Sequence, residues 1–128
     1  ENMIRGLESI VISSPNAKKL AQFYAKTVGF KQTFEAVMGE NLDIFGFEMK
    51  EGSDLWIADN PKVKGKSKDP QRFTVNIEVG QIEREVKRLK KAKVKQITPL
   101  HHVEEYGYVS MFADPDGNYF QLVQVRPE

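Results

Sequence analysis

An internal repeat constrains this chain's fold more than any other feature of its sequence. Ser9 and Thr74, Phe47 and Phe112, Gly52 and Gly117, and Trp56 and Gln121 all stand 65 residues apart. Identities at this offset are few, but the hydrophobic patterns superpose without gaps. Glu8-Ser9-Ile10-Val11-Ile12 falls on Phe73-Thr74-Val75-Asn76-Ile77, and the helical stretch from Ala17 falls on the one from Ile82. A unit recurring at a fixed period reads as one supersecondary motif used twice. At 128 residues the chain suits a single domain and can bury roughly two-thirds of its unfolded surface, so it needs no covalent staple. The first module spans about 5–60, a linker about 61–70 and the second module about 71–126.

Each module reads as βαβββ. In the first, a strand runs near Leu7 to Ser13 and a helix from about Ala17 to Val28, with Ala17, Leu20, Ala21, Tyr24 and Val28 at helical spacing. Asn16 is placed to cap the helix start, and Gly29 to take the left-handed turn at its end. Strands follow near Phe30–Val37, Asp43–Met49 and Asp54–Ala58, with Glu51-Gly52 as the hairpin turn between the last two. The second module repeats the order. A strand near Arg72–Val79 precedes a helix near Ile82–Lys93, then come strands near Lys95–Thr98, Tyr108–Phe112 and Tyr119–Val125, with Asp116-Gly117 at the last turn. Lys62, Lys64, Lys66 and Lys68 between the modules read as a solvated connector.

Alternation along the strands assigns faces. Ile10, Ile12, Leu55, Ile57, Phe73, Val75, Ile77, Val79, Phe120 and Leu122 form the apolar set expected beneath the helices. The opposite faces carry Ser9, Val11, Ser13, Asp54, Trp56 and Ala58 in one module and Thr74, Asn76, Glu78, Tyr119, Gln121 and Val123 in the other. This mixture of hydroxyls, amides, a carboxylate and aromatics is less greasy than a second core. It fits a concave, partly wet binding surface, or a face covered by a partner subunit.

Two stretches carry a family resemblance. Phe23-Tyr24-Ala25-Lys26-Thr27-Val28-Gly29-Phe30 resembles the FY…LGF helix end of the vicinal oxygen chelate superfamily, also called the glyoxalase/bleomycin-resistance/dioxygenase family. Phe112-Ala113-Asp114-Pro115-Asp116-Gly117-Asn118-Tyr119-Phe120-Gln121-Leu122 resembles its F-x-DPDGN-x-x-E-L hairpin, the more specific of the two. The resemblance spans nearly the whole chain. It implies an α+β, glyoxalase-like fold in which two βαβββ modules form an incomplete eight-stranded barrel around a cleft. It also implies a homodimer, since single-domain members are commonly dimers with cups completed across subunits.

Enzymes of this family hold a divalent metal with His, Gln or Glu at four positions, on the first and last strands of each module. Carried over, those positions are Ser9, Trp56, Thr74 and Gln121. Two hydroxyls, an amide and an indole are a poor donor set, because first-row metals favour imidazole and carboxylate. Only Gln121 is of a type the family uses. No metal or other cofactor is therefore expected, and glyoxalase, fosfomycin transferase, extradiol dioxygenase and epimerase activities lose their warrant.

Other chemistry is sparse. The chain has no Cys, so disulfides, thiolate zinc sites and cysteine nucleophiles are excluded. His102 is the best acid/base candidate by elimination among two histidines. With Glu104 it forms either a His-x-Glu pair or part of a solvated loop. Glu78 is either a desolvated base or a rim carboxylate. Trp56 either stacks on a planar ligand, with Phe45, Tyr106 and Tyr108 as helpers, or fills the volume a metal site would occupy.

A net charge of +1 disfavours nucleic acid as the main partner and a strongly cationic drug such as bleomycin as ligand. No segment approaches a membrane span, and Leu7–Ile12 is too short for a secretory leader, so a cytoplasmic protein is expected. The leading expectation is a metal-independent protein that binds a planar or aromatic metabolite or drug. Its candidate ligand-binding residues are Ser9, Trp56, Thr74, Asn76, Gln121, Tyr119, Phe45 and Tyr108. The alternatives are a metal-dependent lyase, isomerase or dioxygenase with an atypical site, and an interaction module whose cup is plugged.

Overall fold

A computed structural model of the chain describes residues 3–37 and 42–126. The element order is β1 (Ser9–Ser14), α1 (Ala17–Gln22), β2 (Phe34–Ala36), β3 (Ile44–Phe47), β4 (Asp54–Asp59), β5 (Thr74–Glu78), α2 (Ile82–Lys91), β6 (Lys95–Val103), β7 (Gly107–Ala113) and β8 (Tyr119–Gln124). The chain divides into two compact units between Gly65 and Lys66. Among the described residues each unit holds one α-helix and one open four-stranded sheet, so the fold is α+β and βαβββ is used twice. The sheet orders are β1-β4-β3-β2 and β5-β8-β7-β6. In both, the first and last strands of the unit pair in parallel and the other pairs are antiparallel.

The 65-residue offset holds at the level of single bonds. β4 maps onto β8 and Ala17 onto Ile82, end for end. The hairpin glycines Gly52 and Gly117 both adopt positive φ, 85° and 79°, a conformation that costs glycine little. The helix starts are closed in the same way. The Ala17 N–H donates to Asp59 Oδ1 at 2.8 Å, and the Ile82 N–H donates to Gln124 Oε1 at 2.9 Å. Asp59 and Gln124 are the final residues of their units' last strands. Each therefore supplies an acceptor that a helix's first turn lacks within itself.

In unit one, Ala17, Leu20, Ala21 and Tyr24 are buried, as are Phe45, Phe47, Leu55 and Ile57. Register places Phe45 opposite Ile57 and Phe47 opposite Leu55, so these four share the face under α1. Asn16 caps the helix as expected, accepting from the Lys19 N–H at 3.1 Å. Beyond Gln22 the helix continues as a π-helical segment, Phe23–Val28. It ends at Gly29 (φ 108°), and the Tyr24 carbonyl accepts from both Gly29 and Phe30 N–H. In unit two, Ile82, Val86 and Leu89 of α2 are buried, together with Phe112, Phe120 and Leu122 of the sheet. Full burial of each such side chain contributes about 1.5–3 kcal/mol.

Some expectations need correction. Phe73 does not pack beneath a helix: it is 79% exposed, because β5 begins only at Thr74 and leaves Phe73 outside the pairing. Ile10 is 39% exposed because β1 is the sheet's edge. The strand expected over Phe30–Val37 is confined to Phe34–Ala36. Lys95–Thr98 instead extends to Val103 through irregularities in its pairing with β7, so His101 and His102 stand on a strand and not in a loop.

Candidate functional site

The face of each sheet away from its helix carries most of the candidate residues, and the two faces differ. In unit one, register aligns Val11, Trp56 and Gly46 across β1, β4 and β3, and Phe34 pairs with Gly46 from β2. The Trp56 benzo ring covers Gly46. A Cβ placed on Gly46 would stand 2.5–2.8 Å from three of its ring atoms. Glycine is thus what permits the indole to lie against the sheet. Phe34 meets Trp56 edge-on, with ring centroids 5.2 Å apart and planes at 64°. Trp56 is half-buried and Phe34 exposed, which leaves aromatic surface open to solvent. Ser9 lies on the same face by alternation and is half-buried.

In unit two the corresponding face is amidic. Asn76 sits directly across from Gln121, and Thr74 across from Tyr119. The Gln121 Nε2 donates to Asn76 Oδ1 at 3.1 Å, and the Asn76 Nδ2 reaches the Tyr106 hydroxyl at 3.5 Å. Tyr106, named only as an aromatic helper, thereby joins the face through its hydroxyl. Its position in the β6–β7 turn gave no sign of this contact with β5.

Two candidate ligand residues lie elsewhere. Phe45 is 3% exposed and packs under α1, so it belongs to the core. Tyr108 pairs with Gln124, whose side chain caps α2, and this puts Tyr108 on the helix side of its sheet. His102 stands opposite Tyr108, with ring centroids 4.9 Å apart. Glu78 pairs with Val123, the neighbour of Gln124, and so faces the other way. His102 and Glu78 are therefore not brought together. Glu78 is held by Arg126, whose Nε donates to its Oε2 at 2.6 Å. Glu104 lies in the turn between β6 and β7 and not on a strand beside His102.

The positions that would hold the family's metal were tested against their donors. Ser9 and Thr74 bring neutral hydroxyls, the Trp56 indole brings no available lone pair, and Gln121, whose Nε2 donates to Asn76, brings a single neutral amide oxygen. That set does not fit a divalent ion. Among the described residues, no three His, Asp or Glu side chains cluster as a metal site would require.

The family model described as Glyoxalase/Bleomycin resistance protein/Dioxygenase superfamily matches residues 6–122. The chain belongs to that superfamily. No curated protein sequence matches the chain. Several solved structures share its fold. TnmS3, an antibiotic binding protein from Streptomyces sp. CB03234, is 22% identical with a TM-score of 0.75, covering 98% of this chain and all of that one. A glyoxylase/bleomycin resistance protein/dioxygenase domain from Frankia sp. EAN1pec is 15% identical with a TM-score of 0.77, over 96% and 99% of the two chains. The fosfomycin resistance protein FosX from Listeria monocytogenes is 16% identical with a TM-score of 0.71, over 95% and 94%. Among the described residues, no helix is long and apolar enough to cross a membrane.

Proposed function

We propose that this superfamily member is a metal-independent binding protein for a planar or aromatic small molecule. One observation carries the reading. The position where family enzymes place a last-strand metal ligand in unit one holds Trp56, seated on Gly46 and buttressed by Phe34. A rigid indole with an open face offers stacking area and an edge-to-face neighbour, worth about 0.5–1.5 kcal/mol beyond its burial. It offers nothing to a cation's coordination shell. That an antibiotic-binding protein shares the fold supports the same direction.

Trp56 is the only tryptophan, so its emission reports on this face alone. A panel of planar aromatic compounds is expected to contain ligands that quench or shift this emission and raise the melting temperature. Trp56→Ala should remove the thermal shift, measured by a dye-independent method such as circular dichroism. A panel without effect, or shifts that survive Trp56→Ala, would sink the reading. So would a stoichiometric divalent ion in the purified protein that Gln121→Ala removes.

A further inference from the structure

The helix side of unit two holds an open groove of about 1000 Å³ between the start of α2 and the β6–β7 strands. It takes no part in the face built around Trp56, nor in the amides of Asn76 and Gln121. Its walls combine three kinds of group. Arg84 and Lys87 enter from α2, three residues apart, so they project to the same side of the helix. Tyr108 and Leu100 supply apolar wall from β7 and β6. Tyr108 is 50% exposed and is backed by the His102 ring at 4.9 Å, which holds its plane. Gly80 and Gln81 supply the third kind, a glycine and an amide from the turn before α2.

The charge in the groove is lopsided. Arg84 and Lys87 stand against one carboxylate, Glu83, and among the described residues neither cation makes an ion pair. The cations are side chains and not a bare helix end, because the first N–H of α2 is already taken by Gln124. A half-exposed phenol wall opposite two unpaired cations matches a ligand with an aromatic body and an anionic head. Arginine binds a carboxylate through two parallel hydrogen bonds, while the ring packs on Tyr108 and Leu100.

From this juxtaposition we infer that the groove is a second ligand site, one that takes small aromatic carboxylates. It is independent of the site proposed at Trp56 and does not rest on it.

The test uses 1-naphthoate as probe and 1-naphthylmethanol as its neutral counterpart. The chain has two histidines, His101 and His102, and His101 lines the groove while His102 backs Tyr108, so their ring proton resonances report on it. Naphthoate should shift these resonances saturably, with at least tenfold weaker binding for Arg84→Ala/Lys87→Ala and for Tyr108→Ala. Trp56→Ala should leave the titration unchanged. The backbone amide spectrum of each variant checks that unit two keeps its fold, since all three side chains are exposed or at the groove surface. Absence of a saturable shift overturns the proposal, as does unchanged binding in the Arg84→Ala/Lys87→Ala variant. Equal affinity for the neutral alcohol overturns the anion requirement, and loss of binding in Trp56→Ala assigns the probe to the other site.

Discussion

Units one and two share a topology and a turn, yet they stabilise the same places with different atoms. At the hairpin before the last strand, unit two uses Asp114. This buried carboxylate accepts from the Asp116 and Asn118 N–H groups, both at 2.9 Å, and from the Asn118 side chain at 3.1 Å. Unit one has Met49 at the equivalent position. Its turn is held from the far side instead, by Asp54 Oδ1 accepting from the Met49 N–H at 2.9 Å. On the faces away from the helices, unit one has an indole on a glycine where unit two has an amide bonded to an amide. The backbone plan therefore tolerates exchange of its polar fasteners. The open faces are where the two copies have specialised.

That comparison can be broken most forcefully at the turns. Asp114→Ala removes an acceptor of three bonds from a buried site and should cost about 3 kcal/mol, against about 1 kcal/mol for Asp54→Ala. Urea denaturation of both variants would show whether the gap exists, and equal losses would refute the asymmetry. The helix starts come next. Asp59 accepts from the Ala17 N–H and, through its other oxygen, from the Asp43 N–H at 3.0 Å, whereas Gln124 caps only Ile82. Asp59→Ala is expected to lose about 2 kcal/mol and Gln124→Ala about 1 kcal/mol, since a charged cap also favours the helix N-terminus. Gly46→Ala should cost about 1 kcal/mol by pushing the half-buried indole off the sheet. A red-shifted Trp56 emission would accompany the loss, and an unmoved spectrum would show that the indole does not lie there. The smallest effect belongs to Asn76→Ala, about 0.5 kcal/mol, because the bond it breaks is solvent-exposed. Double-mutant analysis with Gln121→Ala would isolate that term.

Much of the fold was legible because it was written twice. Gly52 and Gly117, the Asn16 cap and the Gly29 stop are local signals, and each acts in the structure as its chemistry predicts. Face assignments were legible only where a strand's own alternation was clean. In Ile44-Phe45-Gly46-Phe47 both phenylalanines share the core side, and it is the glycine between them that marks the side carrying Trp56. An aromatic count points the wrong way there. Tyr108 is similar, since its side depends on its pairing with Gln124, a relation between strands that no single segment records. The π-helical turn at Phe23–Val28 has no distinctive composition, so spacing alone reads it as ordinary helix. The groove beside α2 was missed because Arg84 and Lys87 look like any solvated helix face until β6 and β7 are set opposite them.

The closure of each helix start by its unit's final strand residue also has a consequence during synthesis. In both units the donor and its acceptor are 42 residues apart in the chain. A ribosome delivers Ala17 long before Asp59, and Ile82 long before Gln124. Until the last strand emerges, the Ala17 and Ile82 N–H groups lack these acceptors and the parallel pairing has no second strand. Non-local closure of this kind slows folding and makes it cooperative. Each unit is therefore expected to fold when its last strand arrives and not piecemeal, so truncation before Asp59 or Gln124 should leave the preceding helix unformed in a nascent-chain protease assay.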